Sequence, residues 1–220
     1  MRRAAIRRFL NSELQPDQLF QRCKAYAWRG QGSQSLELYP NLRTAPVSYH
    51  LAVLNAFTNG DICDANSAEQ WLNLMAGSSS ASSSSKGVSK NAGTPPTSDC
   101  FVLVAKAFVQ KEQFQNANDV LERMRQSELE LNVEQYELLI KVFSSHGRVK
   151  DVETFCDRMQ EDRMLPTIVC YNHLIRAHAN NSGDGVSALR VLDELPSRLK
   201  PTVGSFNGVL QAASKKGDKK

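Results

Sequence analysis

The sequence predicts an all-α fold, a right-handed α-solenoid of helix-turn-helix repeats, on three observations. An aromatic residue returns every 35 positions, at Phe101, Tyr136, Tyr171 and Phe206, and opens a similar phrase each time. Each complete phrase is followed by a turn and a second amphipathic segment. A Pro-Thr pair closes the second and third of these units. One unit of this size cannot bury its apolar face alone, so the interval predicts a stacked array of repeats.

The repeat 133–167 shows the expected elements in order. Apolar residues at three- and four-residue spacing indicate a first helix that starts at Tyr136, and a turn is expected at 144–147. The second helix is expected to run from Val149 and to end before Pro166, because proline and the residue preceding it disfavour helix. The repeats on either side follow the same order.

The chain is expected to divide into seven segments. They are a basic N-terminal stretch (1–13), degenerate helical repeats (14–76), a Ser/Gly/Pro-rich insertion (77–97), three repeats (98–132, 133–167 and 168–202) and a partial repeat with a basic tail (203–220).

Two irregularities interrupt the period. The insertion 77–97 has no hydrophobic period, and we expect it to be a flexible loop. It accounts for the 51 residues between Phe57 and Phe108, which equal one repeat plus 16 residues. In the repeat 168–202 the second helix comes one residue late, and the polar turn at 180–185 is expected to absorb that residue.

Composition and spacing argue against catalysis, metal binding and membrane insertion. No run of 18 apolar residues occurs, so no membrane span is predicted. The histidines have no metal-ligand spacing, and His178 is predicted to pack in the core. Residues 183–185 form a turn rather than a phosphate-binding loop, and Trp28 and Trp71 are expected to pack under their helices. We predict no catalytic residue, no metal, no cofactor and no small-molecule substrate.

The cysteines indicate a reduced interior. Their number is odd, at five, and no two of them form a C-x2-C pair. Buried reduced thiols are therefore favoured over a disulfide framework or a zinc site. The cysteines are Cys23, Cys63, Cys100, Cys156 and Cys170.

The N-terminal segment has the composition of an organellar transit peptide. Four arginines precede the first acidic residue, Glu13, and alternate with Ala, Ile, Phe and Leu. This pattern is typical of an amphipathic mitochondrial or chloroplast targeting helix. The alternative is a basic helix that caps the solenoid or contacts a partner.

The repeats resemble those of the pentatricopeptide repeat family, as a short P-type array. The resemblance is carried by the 35-residue unit, the YN-x-LI opening, a methionine late in the second helix and the closing Pro-Thr, and it is strongest in LPTIVCYNHLIRAH at 165–178. Tetratricopeptide repeats have a period of 34 and a tryptophan opening, and neither occurs here. The resemblance covers residues 98–220 well and residues 46–76 plausibly.

The resemblance implies binding of single-stranded RNA, with one base read per repeat by two or three side chains. In the family, the readers follow the opening aromatic and the closing proline. Asn172 with Thr202 can hydrogen-bond a base edge, whereas Val102 offers no hydrogen bond and Glu137 brings a negative charge. Leu131 replaces the expected proline. By position the pairs are Val102 with Asn132, Glu137 with Thr167 and Asn172 with Thr202, and Asn207 begins a fourth.

A column of cations follows the reading positions by four residues, at Lys106, Lys141 and Arg176. This spacing places each cation on the same helix face as its reader, where it could contact phosphates. The alternative is an exposed helical stripe in which Lys141 pairs with Glu137. Lys215 and Lys216 of the tail are further candidate phosphate contacts.

The positive charge lies in the two ends of the chain. The formal net charge is +4, yet residues 31–214 hold 16 basic and 20 acidic residues. A basic patch on the fold itself is usual for a free RNA-binding protein. The distribution therefore favours a subunit of an assembly whose basic tails reach RNA. The last repeat ends after one helix, so either a partner protein covers the exposed face of this helix or the chain continues in the native protein.

These observations predict a non-catalytic protein of organellar RNA metabolism. The first expectation is a subunit of a mitochondrial ribonucleoprotein, either the ribosome or an RNA-processing complex, that contacts single-stranded RNA or rRNA and protein subunits. One alternative is a purely protein-binding scaffold in an organellar complex. The other is a free, sequence-specific RNA-stabilising factor. The chloroplast is the alternative location.

Overall fold

The computed structural model describes residues 15–59, 62–77, 94–181 and 183–217. All regular secondary structure in these ranges is helical, which confirms the predicted all-α class. The helices are α1 (Pro16–Trp28), α2 (Gly32–Glu37), α3 (Tyr39–Leu42), α4 (Val47–Asn59), α5 (Ala65–Met75), α6 (Ser98–Gln110), α7 (Phe114–Gln126), α8 (Val133–Ser145), α9 (Val149–Glu161), α10 (Ile168–Asn181), α11 (Gly185–Asp193) and α12 (Val203–Gly217).

The chain forms two compact units, unit 1 (residues 1–130) and unit 2 (residues 131–220). In unit 1, α4 packs against α1 and α6, and α6 packs against α5 and α7. Phe57, Trp71 and Phe108 are fully buried there. The basic segment 1–13 and residues 78–93 of the insertion lie outside the described residues. Thr94, within the insertion, begins the next described range and donates to the carbonyl oxygens of Arg43 and Ala45.

Unit 2 contains two helical hairpins followed by one further helix. The hairpins are α8 with α9 and α10 with α11, and α10 also packs against α8 and α12. Its core includes Ile175, Ala179 and Ala188. The buried stripe of the second helix recurs 35 residues later in the next repeat, because apolar residues at i, i+3, i+4 and i+7 form the buried face of each second helix. Its members are Ala117, Val120, Leu121 and Met124 in α7, and Val152, Phe155, Cys156 and Met159 in α9.

The first helices begin earlier than the sequence pattern suggested. The pattern predicts a helix from the aromatic, but α8 begins at Val133, three residues before Tyr136. The reason is a capping box: Asn132 Oδ1 accepts from the Gln135 backbone N–H at 2.8 Å, and Gln135 Oε1 accepts from the Asn132 backbone N–H at 3.0 Å. These bonds satisfy two amides at the helix N-terminus, so the helix extends back to this cap.

The backbone of the turns repeats with the sequence. A left-handed residue follows the first helix of successive hairpins at Glu112 (φ 58°) and Gly147 (φ 68°), and another follows the second helix at Glu128 (φ 56°) and Arg163 (φ 59°). The next turn has its left-handed residue at Gly183. That is 36 residues after Gly147 rather than 35. α10 has 14 residues where α8 has 13, so the extra residue lengthens the end of α10, and Asn180 and Asn181 are helical rather than part of the expected turn.

Several single-residue expectations can be compared with the structure. Trp71 is buried, but Trp28 is 45% exposed because it is the last residue of α1, so its expected packing is wrong. Cys23, Cys100, Cys156 and Cys170 are buried and Cys63 is half-buried, all as free thiols. Within the described ranges, no helix is both long and apolar enough to cross a bilayer, and no three His, Cys, Asp or Glu residues are grouped as metal ligands.

Candidate nucleic-acid interface

The reading positions of unit 2 lie where consecutive first helices meet. α10 packs between α8 and α12, and each of these helices is preceded by the residue that closes the previous repeat. That residue is the second reader of its repeat, and it reaches the first reader, which follows the opening aromatic on the preceding first helix. The 35-residue period makes this junction recur, once between α8 and α10 and once between α10 and α12.

At the first junction, Thr167 and Glu137 are in direct contact. Thr167 Oγ1 donates to Glu137 Oε1 at 2.6 Å and accepts from the Val169 backbone N–H at 3.2 Å. Both residues are half-buried. The carboxylate is thus held by a neutral hydroxyl rather than by a cation, and no ion pair to Lys141 forms among the described residues.

At the second junction, Asn172 and Thr202 are joined through a third side chain. Asn172 Nδ2 donates to Thr202 Oγ1 at 3.1 Å. Ser205 Oγ donates to Asn172 Oδ1 at 2.5 Å and lies 3.2 Å from Thr202 Oγ1. Thr202 is exposed and Asn172 is half-buried, so this junction offers neutral hydrogen-bonding groups to a ligand.

The remaining reading positions differ from these two pairs. Val102, in unit 1, is only 2% exposed and gives a ligand no access to its side chain. Asn132, in unit 2, is the cap of α8. Asn207 is exposed on α12.

Two cations of unit 2, Lys141 and Arg176, act electrostatically on His173, which follows the reading residue Asn172. Lys141 and Arg176 are exposed. Burial lowers the pKa of His173, and the charges of Arg176 and Lys141 lower it further, while Glu137 opposes them. His173 Nδ1 also lies 3.4 Å from Ser144 Oγ. The electrostatic balance at this histidine is therefore positive despite the acidic composition of the body.

The other candidate cations lie elsewhere. In unit 1, Lys106 Nζ donates to Asn59 Oδ1 at 2.9 Å. In unit 2, Lys215 Nζ donates to Asn180 Oδ1 at 3.1 Å, so it is fixed at the C-terminal half of α10. The side chain of Lys216 lies outside the described residues.

His178 does not fit the expected packed core position. It is half-buried and lines a cavity of about 430 Å³ in unit 2, together with Glu153, Tyr171 and Arg190. One of the helices that line it, α11, has nine residues where the equivalent α9 has 13.

The sequence reasoning missed Ser205, His173 and Ser144. The sequence indicates the role of Ser205, because it stands three residues after Thr202, the residue that precedes α12. A hydroxyl at this position of a helix can accept from the backbone N–H of the preceding residue, as Ser205 Oγ does from Thr202. His173 follows the reading residue Asn172 directly, but its proximity to Lys141 depends on how α8 and α10 pack.

Comparison with known proteins identifies the repeats. A family model described as the pentatricopeptide repeat domain matches residues 119–181 and 168–216. A pentatricopeptide repeat-containing protein of Arabidopsis thaliana is 27% identical over 112 residues, which are 49% of this chain and 19% of that protein. The chain therefore spans about a fifth of this curated relative.

Solved structures agree at the level of the fold. The crystal structure of the pentatricopeptide repeat protein PPR10 from maize superposes with a TM-score of 0.65 at 19% identity, over 91% of this chain and 27% of that one. PPR10 in complex with an 18-nt psaJ RNA element gives a TM-score of 0.67 at 20% identity, over 91% and 28%. The repeat motif, the matched family model and the shared helical-hairpin fold together show that the chain belongs to the pentatricopeptide repeat family.

Proposed function

We propose that this chain binds single-stranded RNA without catalysis, through the first helices α8, α10 and α12 of unit 2. The observation that carries the proposal is the direct contact within two reading pairs, Glu137 with Thr167 and Asn172 with Thr202, at equivalent places in successive repeats. A maize protein of the same fold has been solved in complex with an RNA element. A ligand that repeats along one direction, as RNA does, suits a site that repeats at this interval.

The charges beside these pairs support a polyanionic ligand. Lys141 and Arg176 are exposed one helical turn beyond Glu137 and Asn172. In this position they can contact the phosphates on either side of a base that lies at the reading pair. Glu137 opposes an anion there, and Thr167 already occupies one of its oxygens.

The test is a fluorescence anisotropy titration of the purified chain with labelled single-stranded RNA at several salt concentrations. We expect the affinity for single-stranded RNA to fall as the salt concentration rises. An unlabelled RNA duplex of the same sequence should be a poor competitor. Absence of saturable binding at low salt, from a chain with intact helical circular dichroism, would exclude the proposal.

A more specific role follows from the charge distribution. We infer an organellar location, first the mitochondrion and alternatively the chloroplast, and membership in a ribonucleoprotein such as the ribosome or an RNA-processing complex. The acidic body and basic tails support a subunit that meets RNA together with proteins. Purification of the tagged chain from organelles tests this: rRNA and proteins are expected to copurify, whereas one mRNA alone would indicate a free RNA-stabilising factor.

A second candidate function, a purely protein-binding scaffold, is favoured by one surface of α12. Phe206 is 53% exposed and Leu210 is 67% exposed. Tyr136 and Ile140 occupy the same positions in α8 and are almost fully buried. Such an apolar surface suits a protein partner. Salt-dependent RNA binding by the isolated chain would exclude the purely protein-binding function, and protein partners that persist after ribonuclease treatment, with no RNA affinity, would support it.

A further inference from the structure

Ser205 is a buried hydroxyl at the third position of α12. Its side chain is 0% exposed, and its Oγ lies within hydrogen-bond distance of three polar atoms. These are Asn172 Oδ1 at 2.5 Å, the Thr202 backbone N at 3.0 Å and Thr202 Oγ1 at 3.2 Å. A buried hydroxyl is normally bonded to all the partners within reach, so these three contacts decide its orientation.

Proton counting assigns each bond. The Thr202 backbone N–H can only donate, so Ser205 Oγ accepts from it. A separation of 2.5 Å suits O–H···O, and the 3.1 Å between Asn172 Nδ2 and Thr202 Oγ1 suits N–H···O. Ser205 therefore gives its single proton to Asn172 Oδ1, and Thr202 Oγ1 accepts from Asn172 while its own proton is directed at Ser205.

The three side chains form a closed ring that fixes the Asn172 amide. The carbonyl oxygen is held by Ser205 and one N–H by Thr202, which leaves the second N–H of the half-buried amide for a ligand. We propose that Ser205 is a positioning residue that sets this orientation, so that the repeat selects a nucleobase edge with a hydrogen-bond acceptor. The proposal rests on the RNA binding proposed above.

The equivalent positions in the preceding repeats lack such a ring. They hold Cys100, Gln135 and Cys170 at 35-residue spacing. Cys170 Sγ lies 3.6 Å from Thr167 Oγ1, and Thr167 itself donates to Glu137. A thiol is a weak donor, so Ser205→Cys is a matched variant that keeps a side chain these helices already accept.

The first test needs no RNA. Exchange of the Asn172 side-chain amide protons with solvent is measured by NMR, with Asn172→Ala identifying the signals. We expect slower exchange in the wild-type chain than in Ser205→Ala, with Ser205→Cys between them. Equal exchange in the wild-type and Ser205→Ala chains would show that the ring does not form, and would overturn the proposal even if RNA binds.

The second test measures base preference by anisotropy with single-stranded poly(A), poly(C) and poly(U) oligonucleotides. We expect Ser205→Ala to narrow the ratio between the best and worst ligand by about three- to tenfold, the size of one neutral hydrogen bond. In an Asn172→Ala background, Ser205→Ala should change nothing further. A uniform loss for all three ligands, in both backgrounds, would assign Ser205 a merely structural role.

The two tests separate failure of this proposal from failure of the proposed function. A wild-type chain with slow amide exchange and no affinity for any RNA would exclude RNA binding and base selection together, while the hydrogen-bonded ring would stand. A chain that binds RNA with the same base preference in wild type and Ser205→Ala would leave RNA binding intact and exclude the positioning role.

Discussion

Reversal of the two cations of unit 2 gives a quantitative test of phosphate contact. The variant is Lys141→Glu with Arg176→Glu. Both side chains are exposed, and neither helix interior depends on them. The expected change concerns the salt dependence of RNA binding, because each phosphate neutralised by the protein releases counterions from the strand.

The magnitude follows from the number of contacts. For single strands, each phosphate contact contributes about 0.7 to the slope of log K against log salt. Loss of two contacts should therefore lower the slope by about 1.4. Between about 50 and about 200 mM salt, the wild-type affinity should fall roughly sevenfold more than that of the variant.

The assay is anisotropy of a labelled single-stranded RNA at four or more salt concentrations. The matched control is Lys150→Glu with Arg190→Glu, which changes the net charge equally but on the second helices α9 and α11. We expect the control to lower affinity slightly and to keep the wild-type slope. If the cation variant and the control give the same slope, Lys141 and Arg176 do not contact phosphate, and the proposed surface is wrong.

Three further predictions concern stability, each measured by denaturation followed by circular dichroism. Gly147→Ala should lower the free energy of unfolding of unit 2 more than Gly77→Ala lowers that of unit 1. Both glycines have positive φ, but a Cβ at Gly147 would lie 2.7 Å from the Asn181 backbone N, whereas a Cβ at Gly77 would meet nothing within 4 Å. An alanine in the left-handed region costs about 1–2 kcal/mol, so a loss of stability above this range is expected only at Gly147. Equal losses in the two variants would refute the contact with Asn181. Burial lowers the pKa of His50, so the free energy of unfolding should fall as the pH drops below about 6.5, where the unfolded chain takes up the proton first. His50→Phe should weaken this dependence of stability on pH. The same dependence in the variant and the wild type would contradict the role of His50. Tyr136→Phe removes the 2.5 Å hydrogen bond to Asp162 Oδ2 and should cost about 1 kcal/mol, whereas no loss would show that water replaces it.

The period of the sequence was sufficient to predict the helices but not their ends. Apolar spacing locates a helix by its buried face, so α8 was expected from Tyr136, where that face begins. The actual start depends on Asn132 and Gln135, whose polar side chains carry no hydrophobic signal. An Asn followed by a Gln three residues later is a recognisable capping box, so this part was available in the sequence.

The left-handed turn residues could not be predicted in the same way. Gly147 suits positive φ, but Glu112 occupies the equivalent position with a side chain that disfavours it. The end of the helix is capped in the same way at both places: the next residue, Gln113, donates its backbone N–H to the Phe108 carbonyl, as Arg148 does to Phe143. This backbone cap outweighs the intrinsic preference of Glu112, and it carries no side-chain signal in the sequence.

The candidate site was predictable where it depends on the period and not where it depends on packing. The period predicts only that equivalent pairs recur every 35 residues; the pairing of Asn172 with Thr202 was implied by the family resemblance, and the two side chains are in direct contact. Burial of Val102 and the bond from Lys106 to Asn59 depend on the neighbours of α6, which the spacing of α6 alone does not reveal.

The internal hydrogen bonds of the reading pairs limit what base selection can contribute. Thr167 already occupies one oxygen of Glu137, and Asn172 retains one N–H outside its ring. A neutral hydrogen bond exchanged against water adds about 0.5–1.5 kcal/mol, so each junction discriminates bases by about tenfold at most. Two such junctions select a short sequence weakly, and phosphate contacts at Lys141 and Arg176 must then supply most of the affinity. Under the proposed function, specificity for one RNA therefore requires additional reading positions or a partner that presents the RNA, which agrees with the assembly that we propose.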